Sequence, residues 1–294
     1  MATTLSTLRT RLAYRLGEDS APSDTNETAR RDSFINEGYR KLLSEQYWWF
    51  CKTIGSQATV NGQEIYTLPS TFRDMIELRS NRKLLLPIDE TDAQGTYNYP
   101  PLYYSYRAAL QRFYVYGEQE LHLLPASTST PTTFTLSSLT QTSGTATATT
   151  STAHGLQAND YVLIAGAAQT DYNGTQRVLT VPTTTTLTFA VSSSATSPAT
   201  GTITMIWQNL VYRFWSYPSA LSASSDTVVI PDQFADILVA YAFGRYGFID
   251  DSRGSSADGF EEYNRILKDL QAENLRRKLF HKETPPLSHE FYQE

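Results

Sequence analysis

Apolar residues recur at helical spacing near the amino end of the chain, in LSTLRTRLAYRLGE. Leucines follow one stripe at every third or fourth position and arginines lie off it, which is the pattern of an amphipathic helix. Gly17 suits the left-handed conformation that ends many helices. The pattern predicts a helix near residues 5–16, with an apolar stripe of Leu5, Leu8, Leu12 and Leu16.

The same periodicity predicts three further helices, near residues 27–49, 234–247 and 257–280. The third of the four carries little charge, which indicates burial on most of its faces. The apolar face of the second helix comprises Ala29, Phe34, Ile35, Tyr39, Leu42 and Leu43. That of the last helix comprises Phe260, Tyr263, Ile266, Leu267, Leu270 and Leu275.

Short alternating runs predict β-strands beside the helices. Asn61-Gly62 between two β-prone runs predicts a hairpin, and RFYVYGEQELHLLP predicts another with its turn at Gly117. NLVYRFWSYPSAL and TVVIP each have the pattern of a strand. The segment 68–76 matches 230–238 in order and chemistry, and in both a strand is expected to end at proline.

Residues 131–207 differ from the rest of the chain, because threonine, serine and alanine dominate and charge is almost absent. Strand-length runs such as TATATT, YVLIAG and LTFAV are separated by turn residues, which predicts five or six strands in a small sandwich or barrel. A disordered linker is the alternative for such a composition. We interpret TSGTATATTSTAHG as the entry strand of this module.

These elements predict an α+β protein with a discontinuous helical-bundle core, β-hairpins and an inserted all-β domain. The expected divisions are 1–130 and 207–281 for the two core segments, 131–206 for the insert and 282–294 for an extended tail. Insertion at a hairpin tip is tolerated because the ends of an inserted domain lie close together.

Composition narrows the classes of function. The formal net charge is −6, which argues mildly against a protein that grips nucleic acid. The 19 tyrosines suit either interfaces or a tyrosine-rich core. No apolar run has the length of a membrane span, and the amino end lacks the pattern of a signal peptide, so a cytoplasm-like compartment or release by lysis is expected.

The sequence predicts no catalytic, cofactor-binding or metal site. The four histidines lie in different predicted elements without metal-ligand spacing, and Cys51 lacks a local protease signature. Adjacent acids such as Asp250-Asp251 are typical of solvated faces. We therefore expect a protein that is not an enzyme and needs no cofactor.

Several segments resemble the head-to-tail adaptor, or connector, proteins of tailed bacteriophages. The resemblance rests on FINEGYRKLLSEQYWWF, YTLPSTFRDM, ELHLLPA, SSDTVVIPDQFADILVAYA and FEEYNRILKDL. It spans both arms of the chain, about three quarters of it. The insert is similar to β-modules of phage virion proteins, through AHGLQANDYVLIAG, DYNGT and RVLTV.

The resemblance implies a structural virion protein that forms a ring, of 12 copies in this expectation, in the neck between portal and tail. The implied partners are the portal protein, tail or nozzle proteins, other copies of the chain, and double-stranded DNA that passes through the lumen without specific binding. Assembly in the host cytoplasm and no membrane contact follow. An acidic lumen would let DNA slide, since carboxylates repel phosphate.

Aromatic and tail residues are the candidate contacts. Phe291 and Tyr292 close a proline-containing tail, where a free tail has little use for aromatics. The block YWWFC after the second helix fits either a core plug or an exposed patch. The predicted tail anchors are Pro285, Pro286, Leu287, Phe291 and Tyr292, and the candidate subunit contacts are Tyr47, Trp48, Trp49, Tyr103 and Tyr104.

The alternative function is a carbohydrate- or receptor-binding virion protein that acts through the β-insert, with the helices as its mount. A tail-associated lytic enzyme is a third hypothesis, but it lacks catalytic residues. Aromatics of the insert fall mostly at strand-like or core-like positions, namely Phe134, Tyr161, Tyr172, Phe189 and Trp207.

Overall fold

The computed structural model describes residues 2–88, 112–128, 131–249 and 256–280. The chain forms two compact units, one of Met1–Lys52 with Tyr217–Glu294 and the other of Thr53–Ser216. We call them the helical unit and the strand unit. An α+β protein is thereby confirmed, while a helical-bundle adaptor core stays a proposal.

The helical unit contains helices α1 Leu5–Arg15, α2 Thr25–Glu45, α3 Asp236–Gly247 and α4 Ser256–Phe280. The leucine stripe of α1 is buried as predicted. Thr4 caps α1, since its hydroxyl accepts a hydrogen bond of 3.2 Å from the backbone N–H of Thr7. Gly17 follows the helix with a φ of +77°, as its predicted role at the helix end requires.

Helix α3 contacts each of the other three helices. Its residues from Ile237 to Ala242 are all buried, which confirms the prediction from its low charge. The ring of Tyr246 meets that of Phe34 on α2 edge to face, with 6.0 Å between centroids. Gly244 on α3 faces Gly259 on α4, and this pair lets the two backbones approach closely.

The strand unit contains all 14 strands that the structure describes. Strand β1 begins at Lys52, one residue before the first residue of this unit. Two four-stranded sheets have the orders β1-β14-β3-β4 and β2-β7-β6-β5, and β10-β11-β12-β9-β8-β13 closes into a barrel. The first eight strands are β1 Lys52–Gln57, β2 Ile65–Thr67, β3 Phe72–Ser80, β4 Lys83–Leu84, β5 Leu86–Pro87, β6 Arg112–Tyr116, β7 Glu120–Leu124 and β8 Thr133–Thr142. The others are β9 Thr145–Thr150, β10 Tyr161–Ala165, β11 Gly174–Thr183, β12 Thr186–Ala190, β13 Thr204–Gln208 and β14 Leu210–Ser216.

The two open sheets share one apolar cluster. It takes Leu78 from β3, Tyr212 and Phe214 from β14, and Phe113 and Leu121 from β6 and β7. The predicted hairpin with its turn at Gly117 is confirmed, because β6 and β7 pair antiparallel on either side of it. Strand β14 alternates buried and half-buried residues, as its sequence pattern predicted.

The six-stranded barrel decides between the predicted sandwich and barrel. Its interior is filled by apolar side chains, among them Leu139, Val162, Tyr172, Phe189 and Met205. The barrel strands lie within 133–208, close to the predicted insert. The entry strand was assigned wrongly, because the first barrel strand is β8, which ends at Thr142, and TATATT is the second strand.

The outer face of the barrel carries an uncharged lattice of threonines over four adjacent strands. Cross-strand pairing aligns Thr180, Thr188, Thr147 and Thr140 in one row. The hydroxyls of Thr180 and Thr188 lie 2.7 Å apart, so they hydrogen-bond to each other. Threonine suits this position because a branched side chain packs well on a pleated surface.

Some local predictions were wrong. Asn61-Gly62 is a turn, but β1 and β2 on its two sides pair with β14 and β7 and not with each other. TVVIP forms one isolated bridge, Thr227 to Thr4, in place of a strand. Helix α2 ends at Glu45, before the aromatic block, and Ala29 is exposed.

The compact units divide at residues 52/53 and 216/217, since the two open sheets group with the barrel. The predicted divisions at 130/131 and 206/207 enclose a shorter segment than the strand unit, one that is close to the barrel alone. They stay a prediction about how the chain is organised into domains.

Candidate interaction surfaces

The aromatic block after α2 resolves into buried and exposed members. Trp48 has no exposed surface, and its indole Nε1–H donates a hydrogen bond of 2.7 Å to the carbonyl of Leu42. Its ring stacks on Phe50 at 5.8 Å between centroids. Trp48 is therefore a core residue, and its proposed part in subunit contacts is corrected because nothing of it is open to a partner.

Tyr47 and Trp49 form an accessible surface with Arg277 of α4. The side chain of Tyr47 is 38% exposed, and Trp49 is half-buried. The guanidinium of Arg277 lies 4.7 Å from the Trp49 ring centroid, in cation–π range. We call Tyr47, Trp49 and Arg277 the aromatic ledge. Tyrosine, tryptophan and arginine are the residue types enriched at protein interfaces.

A buried asparagine holds the ledge in place. The Asn274 side chain of α4 accepts a hydrogen bond of 3.3 Å from the Trp49 N–H and donates one of 3.1 Å to the Tyr47 carbonyl. Asn274 is 2% exposed, so both ends of its amide are used in the interior. The ledge backbone is thereby tied to α4.

The sequence prediction missed Asn274 and misassigned Leu275. Leu275 is 59% exposed, although it was placed on the apolar face of α4. The turn spacing explains the error, because position 274 follows the buried Leu270 by four residues and so shares its face. The signal was available as a polar residue within an apolar stripe, which normally marks a buried hydrogen-bonding role.

Polar contacts join α2 to α3 and α4. The Tyr241 hydroxyl donates to Glu37 at 2.9 Å, and the Tyr263 hydroxyl donates to Glu45 at 3.2 Å. The Nζ of Lys41 lies about 5.5 Å from the ring centroids of both Tyr241 and Tyr263. Burial, and then the bond to Glu37, raises the pKa of Tyr241 to about 12, so its hydroxyl stays a donor at neutral pH.

The amino end of the chain is bound to the loop at 222–232. The N–H and hydroxyl of Thr3 donate to the Asp232 carboxylate at 2.7 and 2.9 Å. Asp226 accepts the N–H groups of Ser222 and Ala223 at 2.7 and 2.8 Å. These bonds favour the charged carboxylates and lower the pKa of both aspartates, that of Asp232 mainly through the Thr3 hydroxyl.

The lowered pKa values of Asp226 and Asp232 predict that the fold loses stability in acid. A carboxylate whose pKa is lower in the folded state stabilises the fold above its unfolded pKa, and this stability is lost as pH falls through the folded pKa. We expect the melting temperature to fall less between about pH 5 and about pH 3 in an Asp226→Asn/Asp232→Asn variant than in the unaltered protein. Thermal melts followed by circular dichroism measure this.

Asp171→Asn is the control for the acid prediction, because Asp171 is an exposed aspartate in the barrel. It should keep the full acid sensitivity. Equal acid sensitivity of the double variant and the unaltered protein would contradict the assignment to Asp226 and Asp232.

Reactive side chains lie apart from one another in the described structure. Among the described residues, no three of histidine, cysteine, aspartate and glutamate are grouped so as to hold a metal ion. Cys51 is buried and, as the single cysteine of the sequence, forms no disulfide within the chain. His122 stacks on Tyr114 at 4.5 Å between centroids, while the Nδ1 of His154 accepts the Leu156 N–H at 3.0 Å.

None of the helices in the described ranges combines the length and the apolar character that crossing a membrane requires. The remaining candidate contacts cannot be placed on this surface. Tyr103, Tyr104, Pro285, Pro286, Leu287, Phe291 and Tyr292 lie outside the described residues.

Comparison with known proteins shows a match to a protein family. A protein-family model described as SU10 adaptor protein matches residues 3–284. No curated protein matches the chain. The solved structure of the Phage phi92 endosialidase is similar at a TM-score of 0.24 and 17% sequence identity, over 58% of this chain and 31% of that one. The chain thus spans about a third of that structure, and a likeness of this size carries no functional argument.

Proposed function

The chain belongs to the SU10 adaptor protein family, a phage head–tail adaptor family, and on that premise we propose that it forms a ring between the portal and the tail of the virion. The family match over 3–284 is the observation that carries this proposal, because it includes both helical segments and the barrel. Membership implies a structural protein of the phage particle that associates with other head or tail proteins.

In the proposed ring, the four helices act as a bundle that supports contacts between subunits. The aromatic ledge supports this role, since Tyr47 and Trp49 offer aromatic surface held by buried bonds to Asn274. A contact surface that is rigid before binding loses less conformational freedom on association. Leu275, exposed on the same helix as Arg277, adds apolar area.

We assign the carboxyl-terminal tail to the portal or to an adjacent subunit, with Phe291 and Tyr292 as anchors. The barrel is assigned to tail-side proteins, and its uncharged threonine face supports contact without charge repulsion. For the channel, the net charge of −6 supports passage of DNA without specific binding. The ring is proposed to contain 12 copies and to assemble in the host cytoplasm before it takes its place in the neck.

The experiment is assembly of the purified chain with portal rings, followed by native mass spectrometry and electron microscopy. We expect a closed ring of adaptor subunits on each portal. The matched variant ends after Pro286 and so lacks Phe291 and Tyr292. It should keep its helical circular dichroism and lose portal binding. Intact portal binding by this variant would remove the tail from the proposal, and a full chain that never joins portals would reject the ring.

Carbohydrate or receptor binding through the barrel is the second candidate. Phe134, Tyr172 and Phe189 lie in the barrel interior, and Trp207 is half-buried beneath an arginine. Sugar-binding faces use accessible aromatic rings, so these positions favour the adaptor role. A glycan array probed with the full chain tests the alternative, and specific binding would support it.

A further inference from the structure

An unusual turn joins strands β3 and β4 in the sheet beside the barrel. Asn81 and Arg82 both have positive φ, 49° and 68°, between the paired residues Ser80 and Lys83. Two-residue hairpin turns with this geometry normally use asparagine and glycine, since a side chain is strained there. Arginine at the second position indicates that its surroundings hold it in place.

Arg82 reaches from this turn to the barrel. Its Nε and Nη2 donate to the two carboxylate oxygens of Asp160 at 2.9 and 2.5 Å, and Nη2 also donates to the Gly155 carbonyl at 3.1 Å. The guanidinium lies 4.8 Å from the Trp207 ring centroid. A guanidinium bound through two parallel hydrogen bonds and stacked on an aromatic ring has a fixed position, which lysine could not reproduce.

Asp160 directly precedes β10 and is hydrogen-bonded to the barrel. It is 7% exposed and also accepts the Gln157 N–H at 2.7 Å. The backbone N–H of Val178 on β11 donates to the Asp160 carbonyl at 2.8 Å. A carboxylate buried in this way needs a charged partner, because an unpaired buried charge is costly.

Asn209 holds the same turn from its other side. It lies between β13 of the barrel and β14 of the sheet, and its side chain is buried. Its Nδ2 donates to Asn81 Oδ1 at 3.0 Å and to Thr59 Oγ1 at 2.6 Å, while its Oδ1 accepts the Thr59 N–H at 2.7 Å. The Asn81 N–H donates to the Asn209 carbonyl at 2.9 Å.

We propose that the Asn81-Arg82 turn is a clamp that fixes the orientation of the barrel on the β1-β14-β3-β4 sheet. Asn209 is the single residue between β13 and β14, so a rotation of the barrel relative to the sheet would take place about this residue. The Arg82–Asp160 pair is a second attachment between the sheet and the barrel, and it prevents rotation about Asn209. The barrel therefore moves with the sheet as one body, and forces on the barrel reach the sheet.

A ligand site at this junction is the weaker interpretation. A cavity of about 220 Å³ is lined by Arg79, Arg82, Asp160 and Trp207, among others. The Nε and Nη2 groups of Arg82, the Asp160 carboxylate and the Asn209 amide are already paired within the protein, and the Arg82 guanidinium lies over Trp207. Groups that are satisfied in this way have little left to offer a ligand.

Distance measurements between two spin labels in the full chain test the clamp. The labels replace the exposed Asp74 on β3 and Thr145 on β9 as cysteines, in a Cys51→Ala background. We expect a single narrow distance distribution with Arg82 present, and a distribution of roughly twice that width in Arg82→Ala. Lys83→Ala is the matched control, since it removes a long cation from the next position, and it should keep the narrow distribution.

Arg82→Gly separates the clamp from backbone strain. Glycine accepts the positive φ, so this variant loses the ion pair without the strain that alanine keeps. It should broaden the distribution as Arg82→Ala does and fold even if the alanine variant does not. A distribution in Arg82→Gly as narrow as that in Lys83→Ala would overturn the proposal. Asp160→Asn, which keeps Arg82, should broaden it as well.

Discussion

Replacing Gly259 with valine should cost about 3 kcal/mol or more of the free energy of unfolding. A Cβ built at Gly259 lies 2.4 Å from the nitrogen and 2.5 Å from the Cα of Gly244, and 2.9 Å from the Ala240 carbonyl. These are backbone atoms of α3, so no side chain can swing aside to admit the new group. Helices α3 and α4 would have to separate, and α3 is the helix that contacts the other three.

Urea unfolding followed by tryptophan fluorescence measures the effect of Gly259→Val. Ala257→Val is the matched control, because residue 257 is exposed on the same turn of α4 and receives the same final side chain. The control should lose only the small helix propensity difference between alanine and valine, at most about 0.7 kcal/mol. Equal losses in the two variants would show that α3 and α4 do not approach as closely as the structure has them.

Truncating Trp48 to alanine should lower the free energy of unfolding by about 3–5 kcal/mol. The indole is fully buried, so its removal leaves a large cavity beside Phe50. It also leaves the Leu42 carbonyl without the donor that now lies at 2.7 Å. An unpaired buried carbonyl adds to the cost of the cavity.

Trp49→Ala is the matched control and should cost about 1 kcal/mol. It removes a half-buried ring and the contact with Arg277, while the Trp49 backbone bond to Asn274 remains. If the aromatic ledge carries subunit contacts, Trp49→Ala should still weaken ring assembly at a temperature where it is fully folded. A Trp49→Ala loss equal to that of Trp48→Ala would contradict the division of the block into a core residue and a contact residue.

Much of the local structure could be predicted because it depends on neighbours in the chain. The stripe Leu5–Leu8–Leu12–Leu16 lies on one face at helical spacing wherever the helix is placed, and all four leucines are buried. The turn at Gly117 and the alternation of β14 are likewise local. The sequence pattern also located the barrel, since its apolar residues alternate with uncharged polar ones in short runs.

The division of the aromatic block into buried and accessible residues was predicted only in part, because exposure depends on distant segments. Trp48 and Trp49 are adjacent and identical in type, yet one is in the core and the other is half-buried. The difference comes from α4, where Asn274 and Arg277 meet the Trp49 side of the block. More than 200 residues separate these groups in the chain, so no local pattern could assign them.

The matching segments 68–76 and 230–238 show where local information ends. In both, the phenylalanine N–H donates to the proline carbonyl three residues before it, at 2.8 Å, so Phe72 and Phe234 close the same turn. The sequence alone determined that turn. Beyond it, Phe72 begins strand β3, whereas Phe234 leads into helix α3.

The tertiary structure decided between strand and helix. Strand β3 satisfies its backbone hydrogen bonds by pairing with β14, from Phe72 opposite Ser216 to Ser80 opposite Leu210. Helix α3 satisfies its own bonds internally and is stabilised by burial against three other helices. Strand β3 needs β14, which lies far away in the sequence, and nine residues cannot specify that partner.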